Sequence, residues 1–459
     1  ICYCKRDAEI VYCYADHIQS VVNELGGQLH TTLAGTAMDI FRRAFLKKSY
    51  HTPWPWQNEK DREAYYGGRT EVFQYGTGHG MYQYDVHSMY PSCMRHVRLP
   101  DPDAMYHIER RCKARYIDAW EGITNCTVVA PSLHLPILPC RVKGRLLFPV
   151  GEFTGSWCHN ELRFAIKHGY QVKDINWQLI ATKFCNPLKP YVEALYALKV
   201  KAQQEGDPAY FVYKILLNSL YGKFGQKTDG CLTRLTRIDQ VDDFMEKKGL
   251  DLYEWQGDFY VNSPVAPGKQ PDYVIVVWAA YITAEARIRE WELLNEYDRE
   301  VMYCDTDCVV GPHELEESDE LGGLGRELGP VTFEARAEKY YRWKGEDDEW
   351  HYKKAGIRKA FQQEFWATGR TQYQRPRKIG ESLARDQRIS VWITQVKTDL
   401  PRFLKRCPLG DTWPKGDLVA TRPWTYEEAQ RVYQSAGRLL PWRDGRVSPL
   451  LEVERFESE

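Results

Sequence analysis

Long hydrophobic runs are missing from this sequence. No stretch of about 18 or more consecutive apolar residues occurs, so no membrane-spanning helix is expected and a membrane is not anticipated as a partner. An excess of charge of either sign is missing too. With 62 Lys and Arg against 63 Asp and Glu, the formal net charge is −1, which gives no bulk argument for a polyanionic partner. Basic residues do cluster locally, at Arg42-Arg43, Lys47-Lys48, Lys353-Lys354, Arg358-Lys359 and 375–378, but acidic runs such as Glu346 to Glu349 offset them. Such clusters are as readily explained as solvated faces. The 13 cysteines show no CxxC spacing, and their close pairs, Cys2 with Cys4 and Cys304 with Cys308, lack the neighbouring Cys or His partners of a zinc site. That argues against a zinc site or a disulfide scaffold and leads us to expect reduced thiols and a cytoplasmic setting. The opening Ile1-Cys2-Tyr3-Cys4 has no Met, basic n-region or apolar h-region, so a signal peptide is not expected and the native start is expected upstream. Internal repeats and low-complexity tracts are also lacking.

What is present is the composition of a globular protein, with 43% hydrophobic and 27% charged residues and a mean hydropathy of −0.56. At 459 residues the chain has room for two or three domains at roughly 150 residues each. Apolar spacing predicts helices over 5–25 and 36–46. The proline-rich His51-Thr52-Pro53-Trp54-Pro55-Trp56 is expected to be an irregular linker. Beyond it, strands are predicted at 81–86 and 126–130, a helix at 160–168, a long helical region from about 187 to 222, and a helix from about 278 to 295. Strands at 301–304 and 307–310 follow, and the last hundred residues give mixed signals.

Three segments carry chemistry. In Val301-Met302-Tyr303-Cys304-Asp305-Thr306-Asp307-Cys308-Val309-Val310, two short apolar strands meet at an acidic tip, a hairpin signal that sets Asp305 and Asp307 near one point. Two carboxylates crowded at the end of buried strands are destabilising unless a cation compensates, and hard divalent ions with oxygen ligands do so. In Tyr82-Gln83-Tyr84-Asp85-Val86-His87-Ser88-Met89-Tyr90-Pro91-Ser92, an apolar strand delivers Asp85 at its carboxyl end. On its own, Asp85 reads equally well as a helix cap or a turn residue. In Lys214-Ile215-Leu216-Leu217-Asn218-Ser219-Leu220-Tyr221-Gly222, Lys214, Asn218 and Tyr221 fall on one helical face while Leu216, Leu217 and Leu220 face the core, and Gly222 can end the helix. A Lys, an amide and an aromatic ring in one stripe suit a nucleotide.

Taken in the order above, the three segments resemble motifs C (YxDTDS), A (DxxSLYPS) and B (KxxxNSxYG) of family B DNA polymerases, and along the chain they run in the family's order A, B, C. Tyr65-Tyr66-Gly67-Gly68 resembles the YxGG signature that joins the exonuclease and polymerase domains and contacts template DNA, giving Tyr65, Gly67 and Gly68 as DNA-binding candidates. Lys339-Tyr340-Tyr341 is similar to the KxY motif that grips the primer terminus, implying that Lys339 and Tyr341 contact DNA. The stretch from Thr154-Gly155-Ser156-Trp157 to Glu161-Leu162 resembles the palm segment before the fingers, and 353–357 the KxxG strand after KxY. Tyr3 and Asp7 match the third exonuclease motif, YxxxD, whose companion carboxylates would lie upstream; Asp7 can instead simply favour a helix N-terminus. Exonuclease activity is therefore not expected of this chain. Cys308 departs from the motif's Ser by a near-isosteric change.

The resemblance implies an α+β right-hand polymerase with palm, fingers and thumb and an antiparallel palm sheet. It divides the chain into an exonuclease remnant (1–50), a linker with YxGG (51–80), palm (81–186), fingers and motif B (187–225), a second insertion with motif C (226–340), and the KxY-following strand, thumb and tail (341–459). The motif intervals look like those of the protein-primed subgroup of linear phages, plasmids and adenoviruses, with insertions at about 93–150 and 226–273. Implied partners are template and primer DNA, deoxynucleotides and a terminal protein. Two Mg²⁺ ions, with Mn²⁺ able to substitute, would be held by Asp85, Asp307 and the Val86 carbonyl, with Asp305 beside them. Lys214, Asn218, Tyr221 and Tyr90 would meet the incoming nucleotide, with Lys199, or in competition Lys201, as a second phosphate contact. Self-priming or nucleic-acid-primed synthesis, and an inactive DNA-binding relic, remain the alternatives. The tail from about 400 matches nothing in the pattern.

Overall fold

A computed structural model describes residues 2–227, 231–236, 251–255, 258–264, 270–376, 392–398, 404–409 and 418–435. The chain divides into two compact units, one built from 1–225, 273–351 and 401–459, the other from 226–272 and 352–400. No helix among the described residues is long and apolar enough to cross a membrane.

The first unit is organised by an antiparallel sheet in which strands Thr70–Val72, Tyr303–Asp305, Cys308–Gly311, Gln74–Val86, Leu324–Ala337 and Tyr340–Lys344 lie side by side in that order. The short strand Val419–Arg422 pairs with Gln74 and Tyr75, so a late segment of chain extends the same ladder. Gln74–Val86 starts well before the predicted 81–86. Its Gly76, Gly78 and Gly80 read as a loop, yet Ala335, Glu334 and Phe333 pair with Gly76, Thr77 and Gly78. Pairing with a long neighbour outweighs the weak strand preference of glycine.

Against this sheet lies the helix Val276–Tyr297, buried on every face from Val276 to Ala284. A helix apolar all round belongs inside. Its polar groups are satisfied individually: Asn58 Oδ1 accepts from Val276 N at its start (3.0 Å), while Trp278 Nε1 and Trp291 Nε1 donate to the carbonyls of Pro100 and Leu135. Asn58 belongs to a helix, Pro55–Glu63, where the proline-rich sequence predicts irregular structure. Pro55 stands in the first helical turn, where a missing N–H costs nothing because that donor has no intrahelical partner.

A second sheet of the same unit runs in the order Met105–Ile108, Gln171–Ala181, Glu121–Ala130, Gly151–Cys158, all antiparallel. Cys126, Val128 and Ala130 alternate into the core, while the Thr127 and Thr154 hydroxyls bond across the open face. The helix His159–Lys167 packs on it and carries Glu161 to Arg287 of the central helix in a bidentate pair at 2.7 and 2.8 Å, the two side chains only 1% and 2% exposed.

The expected helical stretch 187–222 is two helices, Lys189–Glu205 and Ala209–Phe224. Gly206 takes the left-handed conformation that closes the first, and Asp207 Oδ1 accepts from Ala209 N to open the second. The second also outruns the stop predicted at Gly222, ending at Gly225, because an isolated glycine only weakens a helix whose Leu216, Leu217, Leu220 and Phe224 are all buried. The predicted 36–46 helix is α-helical over Leu33–Ile40 and continues as a π-turn to Phe45.

In the second unit, Cys231–Thr236, Asp258–Pro264 and Asp251–Trp255 form a three-stranded antiparallel sheet. Separately, Arg370–Pro376 and Trp392–Thr398 form a hairpin, on which Phe361 stacks against Tyr373 and the Arg358 guanidinium lies over the same ring. Much of the expected insertion at 226–273, and most of the tail beyond 400, lies outside the described residues.

The Arg287–Glu161 pair gives a stability test. Arg287→Met leaves a buried carboxylate without its cation and is expected to lower the unfolding free energy by about 3–5 kcal/mol in urea titration. Removing both charges, in Arg287→Met with Glu161→Leu, is expected to recover most of that loss.

Candidate active site

The hairpin formed by Tyr303–Asp305 and Cys308–Gly311 turns at Thr306, which adopts a left-handed φ of 67°. Its backbone N–H donates to the Arg69 carbonyl at 2.7 Å. Strand Cys308–Gly311 pairs with Gln74–Val86 so that Cys308 stands opposite Asp85, and Val86 N donates to the Asp307 carbonyl at 2.8 Å. The ladder thus brings together two acids more than two hundred positions apart. Asp85 and Asp307 both line a cleft of about 870 Å³, together with Lys199, Lys214, Asn218, Tyr221 and Tyr90.

Burial pushes Asp85 up to about 7, with Asp307 and Glu327 adding repulsion and Lys214 opposing it. Asp307 is raised as well, first by burial and then by Asp305. Asp305 itself is held aside: its Oδ1 accepts from Thr70 Oγ1 at 3.0 Å and pairs with Lys339 Nζ at 2.9 Å. Among the described residues no three His, Cys, Asp or Glu side chains form a ready metal cluster. The donor set is instead two crowded carboxylates open to a large cleft. That fits an ion such as Mg²⁺, which takes one or two carboxylates and leaves its other positions to water and phosphate.

Across the cleft, the two helices supply the basic and aromatic wall. Lys214, Asn218 and Tyr221 project from Ala209–Phe224, and Tyr196, Lys199 and Gln203 from Lys189–Glu205. Lys199 Nζ donates to Ser88 Oγ at 3.1 Å, and burial lowers its pKa with help from Lys214. Lys201, its competitor in the sequence, is 68% exposed and reaches Glu205 at 3.9 Å instead. Tyr90 stacks on Tyr221 with ring centroids 4.3 Å apart.

Comparison with known proteins decides what this arrangement belongs to. The family described as DNA polymerase type B, organellar and viral, matches residues 1–265, more than half of the chain. This chain belongs to that family. Among its relatives, a probable DNA polymerase of Neurospora intermedia is 26% identical over 374 residues, covering 74% of this chain and 36% of that protein. The DNA-directed DNA polymerase of Enterobacteria phage PRD1 is 29% identical over 307 residues, covering 63% of this chain and 49% of that one. The chain therefore spans less than half the length of either relative. Phi29 DNA polymerase complexed with primer-template DNA superposes with a TM-score of 0.61 at 18% identity, covering 81% of this chain and 68% of that one. The fold is thus the α+β right-hand polymerase fold, with the antiparallel sheet of the first unit as its palm.

In this member of the type B family, the remaining candidate residues lie around the cleft rather than in it. Gly68 backs the hairpin tip, where an added Cβ would stand 2.7 Å from Thr306 Cγ2 and Oγ1. Tyr65 fills the space beside Gly225, and Arg287 Nη1 bonds the carbonyls of Tyr66 and Gly67. Lys339 is exposed at a turn, its N–H donating to Tyr303 Oη, and Tyr341 stacks on Phe333. Asp7 lies exposed on the helix Cys2–Glu24, away from the lining of the cleft, and the side chain of Tyr3 is outside the described residues. The residue least foreseeable from sequence is Glu327. Register slips between Arg326 and Leu328 along Gln74–Val86, so Glu327 occupies a bulge and lines the cleft.

A raised carboxylate makes stability depend on pH. With a usual value of 3.8 and a folded value of about 7, Asp85 binds more protons in the native than in the unfolded chain between those limits, so its contribution falls as the pH rises from about 4 to about 7 and is level above. Asp85→Asn removes that penalty. In chelator, its melting temperature is expected to rise relative to the unsubstituted protein across this window, by several degrees at pH 8, when followed by scanning fluorimetry.

Proposed function

We propose that this chain is the polymerase part of a template-directed DNA polymerase that adds deoxynucleotides to a primer 3′-hydroxyl by two-metal phosphoryl transfer. The observation that carries the reading is the meeting of Asp85 and Asp307 in one cleft that faces Lys214, Asn218 and Tyr221. Asp85, Asp307 and the Val86 carbonyl would hold the ions, and Asp305, tied to Lys339 and Thr70, would support them from beside. Bound there, two Mg²⁺ ions would make the 3′-hydroxyl acidic and neutralise charge on the leaving pyrophosphate.

The protein's own contribution is placement and charge, as phosphoryl transfer requires. Lys214 would offset the triphosphate, with Lys199, already turned into the cleft, as the second cation. Stacked Tyr90 and Tyr221 would form the floor under sugar and base, Tyr90 leaving no room for a 2′-hydroxyl and Asn218 lying alongside. Tyr65, Gly67 and Gly68 would meet the template, and Lys339 and Tyr341 the primer. The division into exonuclease remnant (1–50), linker (51–80), palm (81–186), fingers (187–225), second insertion with motif C (226–340), and thumb with tail (341–459) belongs to the same reading. So does the assignment of Tyr3 and Asp7 to an exonuclease site that other residues would complete. Insertions at about 93–150 and 226–273 would serve protein priming with a terminal protein, in replication of a linear phage, plasmid or viral genome.

Primer extension tests this directly. Asp85→Asn and Asp307→Asn are each expected to reduce Mg²⁺-dependent extension to background, while DNA affinity by gel shift stays within about threefold; extension at the normal rate by either variant would reject the reading. Steric exclusion of a small group in a packed site discriminates by roughly 10–200-fold. Tyr90→Val should therefore raise ribonucleotide incorporation by about tenfold or more in single-nucleotide assays, and an unchanged sugar preference would remove that role from Tyr90.

A further inference from the structure

We infer that Glu290, on the buried Val276–Tyr297 helix, is a positioning residue that holds the Asp305-Thr306-Asp307 tip in place through the backbone of Arg69. The inference rests on the polymerase reading of that hairpin. Glu290 is 1% exposed, and its Oε2 accepts from the Arg69 backbone N–H at 3.2 Å. The carbonyl of the same Arg69 accepts from Thr306 N–H at 2.7 Å. A carboxylate on the central helix is thus two hydrogen bonds from the residue between the two hairpin acids. On the other flank, the Cys304 thiol lies beside the same carboxyl group, and Thr70, next to Arg69, pairs in register with Asp305.

Two further observations separate this from ordinary packing. Thr306 holds a left-handed backbone, which a β-branched residue adopts only when its surroundings impose it. Those surroundings are the Arg69 carbonyl on one side and the bare Cα of Gly68 on the other. Moreover, Glu290 Oε1 is buried without a hydrogen-bond partner. A methionine or leucine would fill the same space without that burden, so packing does not account for an acid here. Glu290 is not among the residues that line the cleft, which makes its role indirect.

The test uses the full chain with Glu290→Gln, Glu290→Met, Gly68→Ala and Asp307→Asn, reading melting temperature, Mn²⁺ binding to the DNA-free protein by calorimetry, and the kcat and nucleotide KM of primer extension. Glu290→Gln keeps an acceptor for Arg69 and is expected to stay within about threefold of the unsubstituted protein in every readout, whereas Glu290→Met, melting no lower, is expected to weaken Mn²⁺ binding and lower kcat by about tenfold or more at a nearly constant KM. Normal Mn²⁺ binding and kcat in Glu290→Met, or a Glu290→Gln variant as impaired as Glu290→Met, would overturn the role. If Glu290→Met does not fold, Gly68→Ala, which presses on Thr306 from the opposite side, decides: weakened Mn²⁺ binding supports the inference and unchanged binding overturns it. An Asp307→Asn variant that still extends primers would reject the polymerase reading itself, whereas an inactive Asp307→Asn beside a normal Glu290→Met would reject only the role of Glu290.

Discussion

Burial of two carboxylates at one point of the palm sheet, with repulsion from Asp307 adding to the cost at Asp85, is the constraint around which the first unit is arranged. Strand pairing sets Cys308 opposite Asp85 and ties the Asp307 carbonyl to Val86 N, so the ladder holds both acids at one end of the cleft. The fold responds by making the ladder stiff. Fully buried groups lie behind it: Arg69 forks onto Glu71 and reaches the Pro136 carbonyl, Arg406 stands 3.6 Å from Glu71, and both guanidinium groups lie over the Phe73 ring. Charges this deep do little for net stability, but each has a geometry it must satisfy, so together they set the position of the strands above them.

The cleft is asymmetric as a result. Its acidic wall is sheet, rigid and desolvated; its basic wall is helix, with Lys214 and Asn218 exposed on the surface of Ala209–Phe224. Long cationic side chains on a helix surface can follow a moving polyanion, whereas carboxylates that share small hard ions cannot afford to drift. The division of labour follows from which secondary structure delivers each group.

Much of this was legible in the chain. The acidic tip between two apolar strands, and the Lys214, Asn218 and Tyr221 stripe opposite Leu216, Leu217 and Leu220, follow from periods of two and 3.6 that survive into the structure. What stayed hidden depends on partners far away in sequence. The strand through Gly76, Gly78 and Gly80 exists because Leu324–Ala337 pairs with it, and Glu327 reaches the cleft because that pairing slips by one residue. Pro55 misleads in the other direction, since a residue that breaks a helix interior is well suited to its first turn. The buried pair of Arg287 with Glu161 and the contact of Glu290 with Arg69 leave no local pattern at all, because a charged residue on a helix is read as a solvated one until the other elements are placed around it.

The strand Val419–Arg422 and the Arg406 side chain join the palm beside residues laid down more than three hundred positions earlier. During synthesis from the amino terminus, Glu71 and Arg69 therefore wait for more than three hundred further residues before Arg406 arrives. The sheet closes late, and the pairing of Gln74 and Tyr75 with Ala420 and Val419 forms last. Slow, long-range closure of this kind exposes a nascent chain to off-pathway association, which makes Arg406 and the strand Val419–Arg422 determinants of folding yield as much as of the finished architecture.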